Sequence, residues 1–188
     1  MPNSSSHDEV IVKSVIHWFE KSVLGLNLCP FARRPYESDH IEFCLSKAND
    51  DEGCLSDVYL NLVKLDKHSE IETLVIICGS HLAHFEDYNQ FLDLLDPLLD
   101  QEGWTGIYQI ASFHPDYYFN DCAMDARENW TNRSPYPLIH LIRESSISAA
   151  IKSHPDIDSI PDKNIQTMKE LTPSQMSTIF GAHYKNSN

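Results

Sequence analysis

One short segment, Thr73-Leu74-Val75-Ile76-Ile77-Cys78, constrains the fold of this chain most. Its residues from Leu74 onward are apolar at successive positions rather than at alternate ones, and Gly79 follows it directly. Strands with this pattern are covered on both faces, as in the sheets of α/β proteins. The segment therefore predicts a central strand with helices packed on both sides of the sheet.

The segments around this strand alternate between helical and extended patterns. Apolar residues repeat every three or four positions at 11–23, 55–65 and 85–95, which predicts three helices. Strands are predicted at 41–45 and 107–111. Because this order is typical of βαβ units, we predict an α/β fold with a small parallel or mixed sheet and helices packed on it. A ferredoxin-like α+β fold is the alternative.

The second half of the chain is less regular. Residues 112–137 show no helical or strand period but contain many aromatic residues, which predicts a long ordered loop after the last strand. Residues 138–151 predict a helix, and Pro161 and Pro173 can each open a short terminal helix. With 188 residues, the chain is expected to form a single globular domain over residues 8–184, with flexible tails at 1–7 and 185–188.

Composition limits the classes of partner. The formal net charge of -14 opposes binding to nucleic acid, and the longest apolar run is far shorter than the roughly 20 residues of a membrane helix. The five cysteines are odd in number and form no Cys-x-x-Cys pair, which favours reduced thiols. We therefore expect a soluble cytoplasmic protein that binds neither nucleic acid nor membrane, in an oligomeric state that the sequence leaves open.

All five arginines lie in two segments, at 33–34 and 127–143. The guanidinium group donates several hydrogen bonds in a fixed plane, so this distribution predicts one site for a small anionic molecule. A structural ion-pair network that holds the long loop is the alternative. The residues expected to bind the anionic substrate are Arg133, Arg143, Arg33, Asn132 and Tyr136.

Three side chains are candidates for catalysis. His114 follows the last predicted strand and precedes Pro115, and it could transfer a proton or simply hydrogen-bond the loop to the core. His140 lies three residues before Arg143, on the same face of the predicted helix, and could orient His114 or the substrate. Cys29 lies near Arg33 and could be a nucleophile or a small buried residue.

Two other classes of function remain open at this point. His114 and His140, with Asp116 or Asp121, could bind a metal ion, although their spacing matches no fixed metal motif. A non-catalytic adaptor could instead use exposed Tyr117, Tyr118 and Tyr136 as a partner-binding patch. The sequence indicates no particular cofactor.

Four motifs resemble one known family in the same order along the chain. They are Leu26-Asn27-Leu28-Cys29-Pro30-Phe31-Ala32, Gln109-Ile110-Ala111-Ser112-Phe113-His114-Pro115-Asp116-Tyr117, Asn132-Arg133-Ser134-Pro135-Tyr136-Pro137 and His140-Leu141-Ile142-Arg143-Glu144. The chain resembles a mostly bacterial family catalogued as domain of unknown function 1415, from the first helix to Asn164. The resemblance implies that the candidate residues Cys29, Asn132, Arg133, His114, His140 and Arg143 occupy family motif positions, but it implies no activity.

The leading hypothesis is therefore an enzyme that acts on a small anionic metabolite. It requires Cys29, His114, His140, Arg133 and Arg143 to open onto a common pocket.

Overall fold

A computed structural model describes residues 4–79, 81–153, 157–181 and 184 of the chain. Four strands form one open mixed sheet: β1 (Ile41–Leu45), β2 (Thr73–Ile77), β3 (Tyr108–Phe113) and β4 (Leu138–Arg143). Their spatial order is β1-β2-β4-β3, with β1 parallel to β2 and β4 antiparallel to both of its neighbours. The predicted α/β fold with a mixed sheet is confirmed.

Helices occupy most of the remaining described chain. They are α1 (Ser4–Trp18), which continues as a π-helix (Phe19–Leu24), α2 (Arg33–Glu37), α3 (Asp51–Lys67), α4 (Phe85–Leu92), α5 (Leu95–Gln101), α6 (Glu144–Ser153), α7 (Ile160–Glu170) and α8 (Pro173–Phe180). Short 3-10 helices lie at Arg127–Thr131 and Ile157–Ser159. None of the described helices combines the length and the apolar character needed to cross a bilayer.

Strand β2 is buried along its whole length, as its sequence predicts. Successive side chains of a strand point to opposite faces, so β2 supplies residues to two separate layers. Val75 and Ile77 join a cluster on the front face with Trp18 and Met168, while Leu74 and Ile76 join a cluster on the back face with side chains of α3 and α4. Helices therefore cover both faces of the sheet.

The prediction of a helix over residues 138–151 is wrong for its first half. Residues 138–143 form β4, which lies between β2 and β3, and only the residues from Glu144 onward are helical. A strand buried on both faces has apolar residues without a period of two, and here it runs into a helix with no turn residue between them. His140 and Arg143 consequently point to opposite faces of the sheet rather than sharing a face of a helix.

The irregular segment after β3 is confirmed, although β3 is not the last strand. Between Phe113 and Leu138 the described chain contains one short 3-10 helix. The predicted flexible tail at 1–7 overlaps α1, which begins at Ser4. The predicted tail at 185–188 lies outside the described residues.

Candidate functional site

A pocket of about 560 Å³ opens on the front face of the sheet, at the edge where β1, β2 and β3 begin. We call it the edge pocket. Its floor is a row of residues paired across the four strands, in the order Ile41, Thr73, Ile142 and Gln109. His140 lies two residues before Ile142 on β4, on the same face of the sheet, and also lines the pocket. His114, which follows β3 directly, leaves the sheet at its opposite end.

Two segments form the walls of the edge pocket. One is the chain from Cys29 to Pro35, and the other is the start of α6, including Ser145 and Ser146. The first wall follows Asn27, which has a positive φ of 54° and turns the chain after the π-helix. It is held by the Asn164 side-chain amide, which donates to the Leu28 carbonyl oxygen at 2.8 Å. The wall is thus positioned by the first and seventh helices.

Among the described residues, His140 has a bonding partner at one of its two ring nitrogens. Its Nε2 atom contacts the hydroxyl of Thr73, the neighbouring floor residue on β2. Protein atoms surround the half-buried ring closely, and this burial lowers the pKa of His140 to about 4. At neutral pH the imidazole is therefore uncharged.

Cys29 is the first residue of the wall formed by residues 29–35. Burial raises the pKa of its thiol, while hydrogen bonds with the backbone of Phe31 and Ala32 act in the opposite direction. Because burial is the larger effect, the free Cys29 is a thiol rather than a thiolate at neutral pH. A nucleophilic role would require a base to remove its proton.

Arg34, not Arg33, is the arginine that lines the edge pocket. Arg34 is exposed, and its guanidinium group makes no hydrogen bond or ion pair with any of the described residues. The neighbouring Arg33 donates to the Leu24 carbonyl oxygen at 2.9 Å and lies 3.6 Å from the Glu37 carboxylate. Adjacent residues of a helix project about 100° apart, which explains why only one of the two reaches the pocket.

The acidic residue of the pocket already has a partner. Glu72 lies beside Thr73, and its carboxylate contacts Nδ1 of His40 at 3.1 Å. Of the two charged residues that line the pocket, Glu72 is paired with His40, whereas the side chain of Arg34 has no partner among the described residues.

His114 lies outside the edge pocket and is fully buried. The backbone N–H of Asp116 donates to its Nδ1 at 3.0 Å, so the proton is on Nε2, which donates to the Leu82 carbonyl oxygen at 3.1 Å. Leu82 has a left-handed backbone, with φ of 61°, and His114 helps to hold it there. Burial lowers the pKa of His114. Both ring nitrogens are occupied, so this geometry supports the loop-holding interpretation.

Arg143 is bonded to backbone and tyrosine groups on the back face. Its guanidinium group donates to the carbonyl oxygens of Ile71 (2.8 Å), His68 (3.0 Å) and Leu65, and to the Tyr108 hydroxyl at 3.1 Å. Arg143 is the last residue of a strand and does not lie in a helix with His140, contrary to the prediction from the sequence. This arrangement is that of a structural pin between β4 and the end of α3.

Arg133 has a similar structural role in the long loop. It donates to the carbonyl oxygens of Tyr117 (3.0 Å) and Met124 (2.6 Å), and its guanidinium carbon lies 4.8 Å from the centre of the Trp130 ring. Arg133 lines a separate pocket of about 280 Å³ between α1, α8 and the loop. It therefore does not reach the edge pocket.

The other predicted residues are also distributed over the loop. The Asn132 side chain donates to the Ser112 carbonyl oxygen at 3.3 Å, and Tyr136 packs against the front cluster. Tyr117 and Tyr118 are half-buried around Phe85, with ring centres 5.3 and 4.9 Å from it, rather than exposed.

The expectation that the site residues meet in one pocket is therefore wrong. Of the eight predicted residues, Cys29 and His140 share the edge pocket. His114 lies three residues beyond Ala111, the β3 partner of His140, which places it about 10 Å further along the sheet. Within the described part of the chain, no three His, Cys, Asp or Glu side chains come close enough to hold a metal ion.

The sequence analysis missed Arg34, Thr73 and Gln109 as members of the site. Arg34 carried a signal, since it belongs to one of the two arginine segments. Thr73 is the first residue of β2 and Gln109 the second residue of β3, and both point to the front face of the sheet. They become neighbours of His140 only because β4 lies between β2 and β3. Finding them required the order of the strands.

Comparison with known proteins gives a family for the chain. No curated protein and no solved structure matches it. The model of a family described as protein of unknown function, DUF1415, matches residues 10–178. This range contains the edge pocket and all four sequence motifs. Because the match covers much more than half of its length, the chain belongs to the DUF1415 family of proteins of unknown function.

Proposed function

We propose that the protein is an enzyme that binds a small anionic metabolite with an apolar body in the edge pocket. The observation that carries this proposal is that Arg34 and His140, both with unused bonding capacity, line one pocket. Arg34 supplies a positive charge for the anionic group. Ser145 and Ser146 lie in the first turn of α6, where backbone N–H groups have no acceptor within the helix and favour an anion.

The remaining lining suits a hydrocarbon body. Ile41 and Ile142 provide an apolar floor, and Pro30 and Phe31 face it from the first wall. The pocket volume of about 560 Å³ is within the usual range for small-molecule sites. The uncharged His140 is the group placed to accept a proton or a hydrogen bond, and Cys29 is the nucleophile available beside it.

The test is a binding screen with a matched pair of arginine variants. Thermal shift and calorimetry with a panel of short-chain carboxylates and phosphate monoesters should identify ligands of the wild-type protein. Arg34→Gln should weaken binding of these ligands at least about tenfold, whereas Arg33→Gln should leave it nearly unchanged. Ligands that bind are then followed by mass spectrometry for conversion, which His140→Gln should abolish.

Three results would contradict the proposal. Equal losses of affinity in Arg34→Gln and Arg33→Gln would show that general charge, rather than the edge pocket, binds the anion. Failure of every member of the panel to bind the wild-type protein would remove the anion site itself. Binding without conversion of any ligand would leave a binding protein and exclude the enzyme.

A further inference from the structure

The hydrogen bonds of Thr73 determine which nitrogen of His140 carries the proton. A threonine hydroxyl has one hydrogen to donate. The Thr73 hydroxyl donates to the Leu141 carbonyl oxygen at 2.9 Å, so it has no hydrogen left for the ring. Its contact with His140 must therefore be a hydrogen bond that Nε2–H donates to Thr73 Oγ1.

The second ring nitrogen is left as an acceptor on the edge pocket. In a neutral imidazole with its proton on Nε2, Nδ1 carries a lone pair. His140 Nδ1 has no partner among the described residues. Within that part of the chain, the solvent-inaccessible side-chain atoms that lack a hydrogen-bond partner are Trp18 Nε1 and Ser22 Oγ, so His140 Nδ1 is not one of them. Nδ1 of His140 is therefore reachable from the pocket that the ring lines.

We propose that the edge pocket selects anions that carry a hydroxyl group, with Arg34 holding the anionic group and His140 Nδ1 accepting the hydroxyl hydrogen. This inference rests on the proposed function. An anion without such a donor leaves Nδ1 unpaired in a half-buried site and should bind less tightly. A ligand ammonium group is a less favourable donor to Nδ1 than a hydroxyl group. The burial that keeps the imidazole uncharged also disfavours a cation beside it, in addition to Arg34.

In this arrangement Thr73 is a positioning residue. It does not need to touch the ligand, because it acts by fixing the tautomer of His140. Thr73→Ser keeps a hydroxyl at the same position, whereas Thr73→Val keeps the shape of the side chain but removes the acceptor for Nε2–H. Without that acceptor, the proton can move to Nδ1, which then no longer accepts the hydroxyl hydrogen.

The first measurement needs no ligand. Nitrogen-15 NMR of the imidazole at neutral pH should show the Nε2–H tautomer of His140 in the wild-type protein and in Thr73→Ser, and a mixture of tautomers in Thr73→Val. A wild-type ring with its proton on Nδ1 overturns the inference, whatever the variants show.

The second measurement uses three kinds of probe: hexanoate, the positional isomers of monohydroxyhexanoate and the positional isomers of monoaminohexanoate. At least one hydroxylated isomer should bind the wild-type protein about five- to tenfold more tightly than hexanoate. This preference should persist in Thr73→Ser and decrease in Thr73→Val. Preferential binding of an aminated isomer overturns the assignment of the hydroxyl group.

The outcomes separate this inference from the proposed function. If hexanoate binds as tightly as every hydroxylated isomer and Arg34→Gln weakens all of them, the hydroxyl selection is overturned and the anion site stands. If none of these acids binds but another member of the anion panel does, the selection of a hydroxy acid is overturned, whereas the proposed anion site still stands. If nothing binds in either experiment, both proposals are overturned.

Discussion

At the scale of single residues, His140 should make the stability of the protein depend on pH. Burial lowers its pKa from 6.5 to about 4 in the folded state. As pH falls from 6.5 toward 4, the unfolded chain therefore binds a proton that the folded chain does not, and stability decreases. From this group alone, the free energy of unfolding should fall by about 2 kcal/mol between pH 7 and pH 5, as measured by urea unfolding.

His140→Gln is the matched control for this titration. Its amide can still donate to Thr73, but it has no proton to gain in this range. The variant should lose less stability than the wild type over the same pH interval. Equal losses would contradict the assignment and would point to His114, whose pKa is also lowered by burial.

A substitution of Arg143 tests whether its guanidinium group stabilises the fold rather than binding a ligand. Its bonds join β4 to three carbonyl oxygens around the end of α3, at Ile71, Leu65 and His68. Lysine carries its donors on one nitrogen and cannot serve these separated acceptors. Arg143→Lys should therefore lower the free energy of unfolding by about 2–3 kcal/mol, as measured by urea unfolding.

The same Arg143→Lys variant should bind the ligands of the edge pocket as the wild type does, because Arg143 points to the other face of the sheet. Loss of ligand affinity with unchanged stability would instead favour the anion-binding role that the sequence predicts for Arg143.

The residue scale also shows why the site could be predicted only in part. Cys29 and His140 belong to sequence motifs and do lie together. The choice between Arg33 and Arg34 depends on the orientation of a five-residue helix, which composition does not reveal. The role of His114 depends on the Leu82 carbonyl oxygen, 32 positions away in the chain. Contacts of that separation follow from the fold, not from local spacing.

At the scale of elements, β4 is a strand that the sequence did not predict. Its amides are paired with β2 on one side and with β3 on the other, and Leu138, Ile139 and Leu141 are fully buried. The same apolar pattern predicts β2 correctly, because Gly79 ends the strand, whereas β4 continues directly into α6. Periodicity without a turn residue could not separate the strand from the helix.

Hydrogen exchange distinguishes the two structures of this segment. The amides of 139–142 should exchange among the slowest in the protein, because they open only when the centre of the sheet opens. The amides of 145–149 should exchange much faster, since α6 has several exposed residues and one side open to solvent. Uniform protection across 138–151, measured by NMR, would support the continuous helix instead.

At the scale of the whole molecule, the sequence predicted the architecture better than the site. The two-sided apolar strand correctly indicated a sheet covered by helices on both faces. The strand order β1-β2-β4-β3 could not be derived, because the strand between β2 and β3 comes last in the chain. Inserting β4 at this position brings His140 beside Thr73, so the topology itself creates the pair that the proposals use.

The shared sheet also predicts that the two clusters unfold together. Each inner strand supplies side chains to both faces, so opening one layer exposes residues of the other. Trp18 and Trp130 report on the front cluster and Trp104 on the back cluster. With the other tryptophans changed to Phe, single-tryptophan variants should give coincident urea transitions, as expected of one cooperative domain.

Core substitutions on the two faces should confirm this coupling. Met168→Ala in the front cluster and Leu62→Ala in the back cluster both remove a fully buried side chain, and each should cost about 2–5 kcal/mol. Because one sheet carries both layers, each substitution should shift the transitions seen by Trp18 and by Trp104 equally. A substitution that moves only the probe on its own face would divide the molecule into two folding units, and the single domain predicted from length would be wrong.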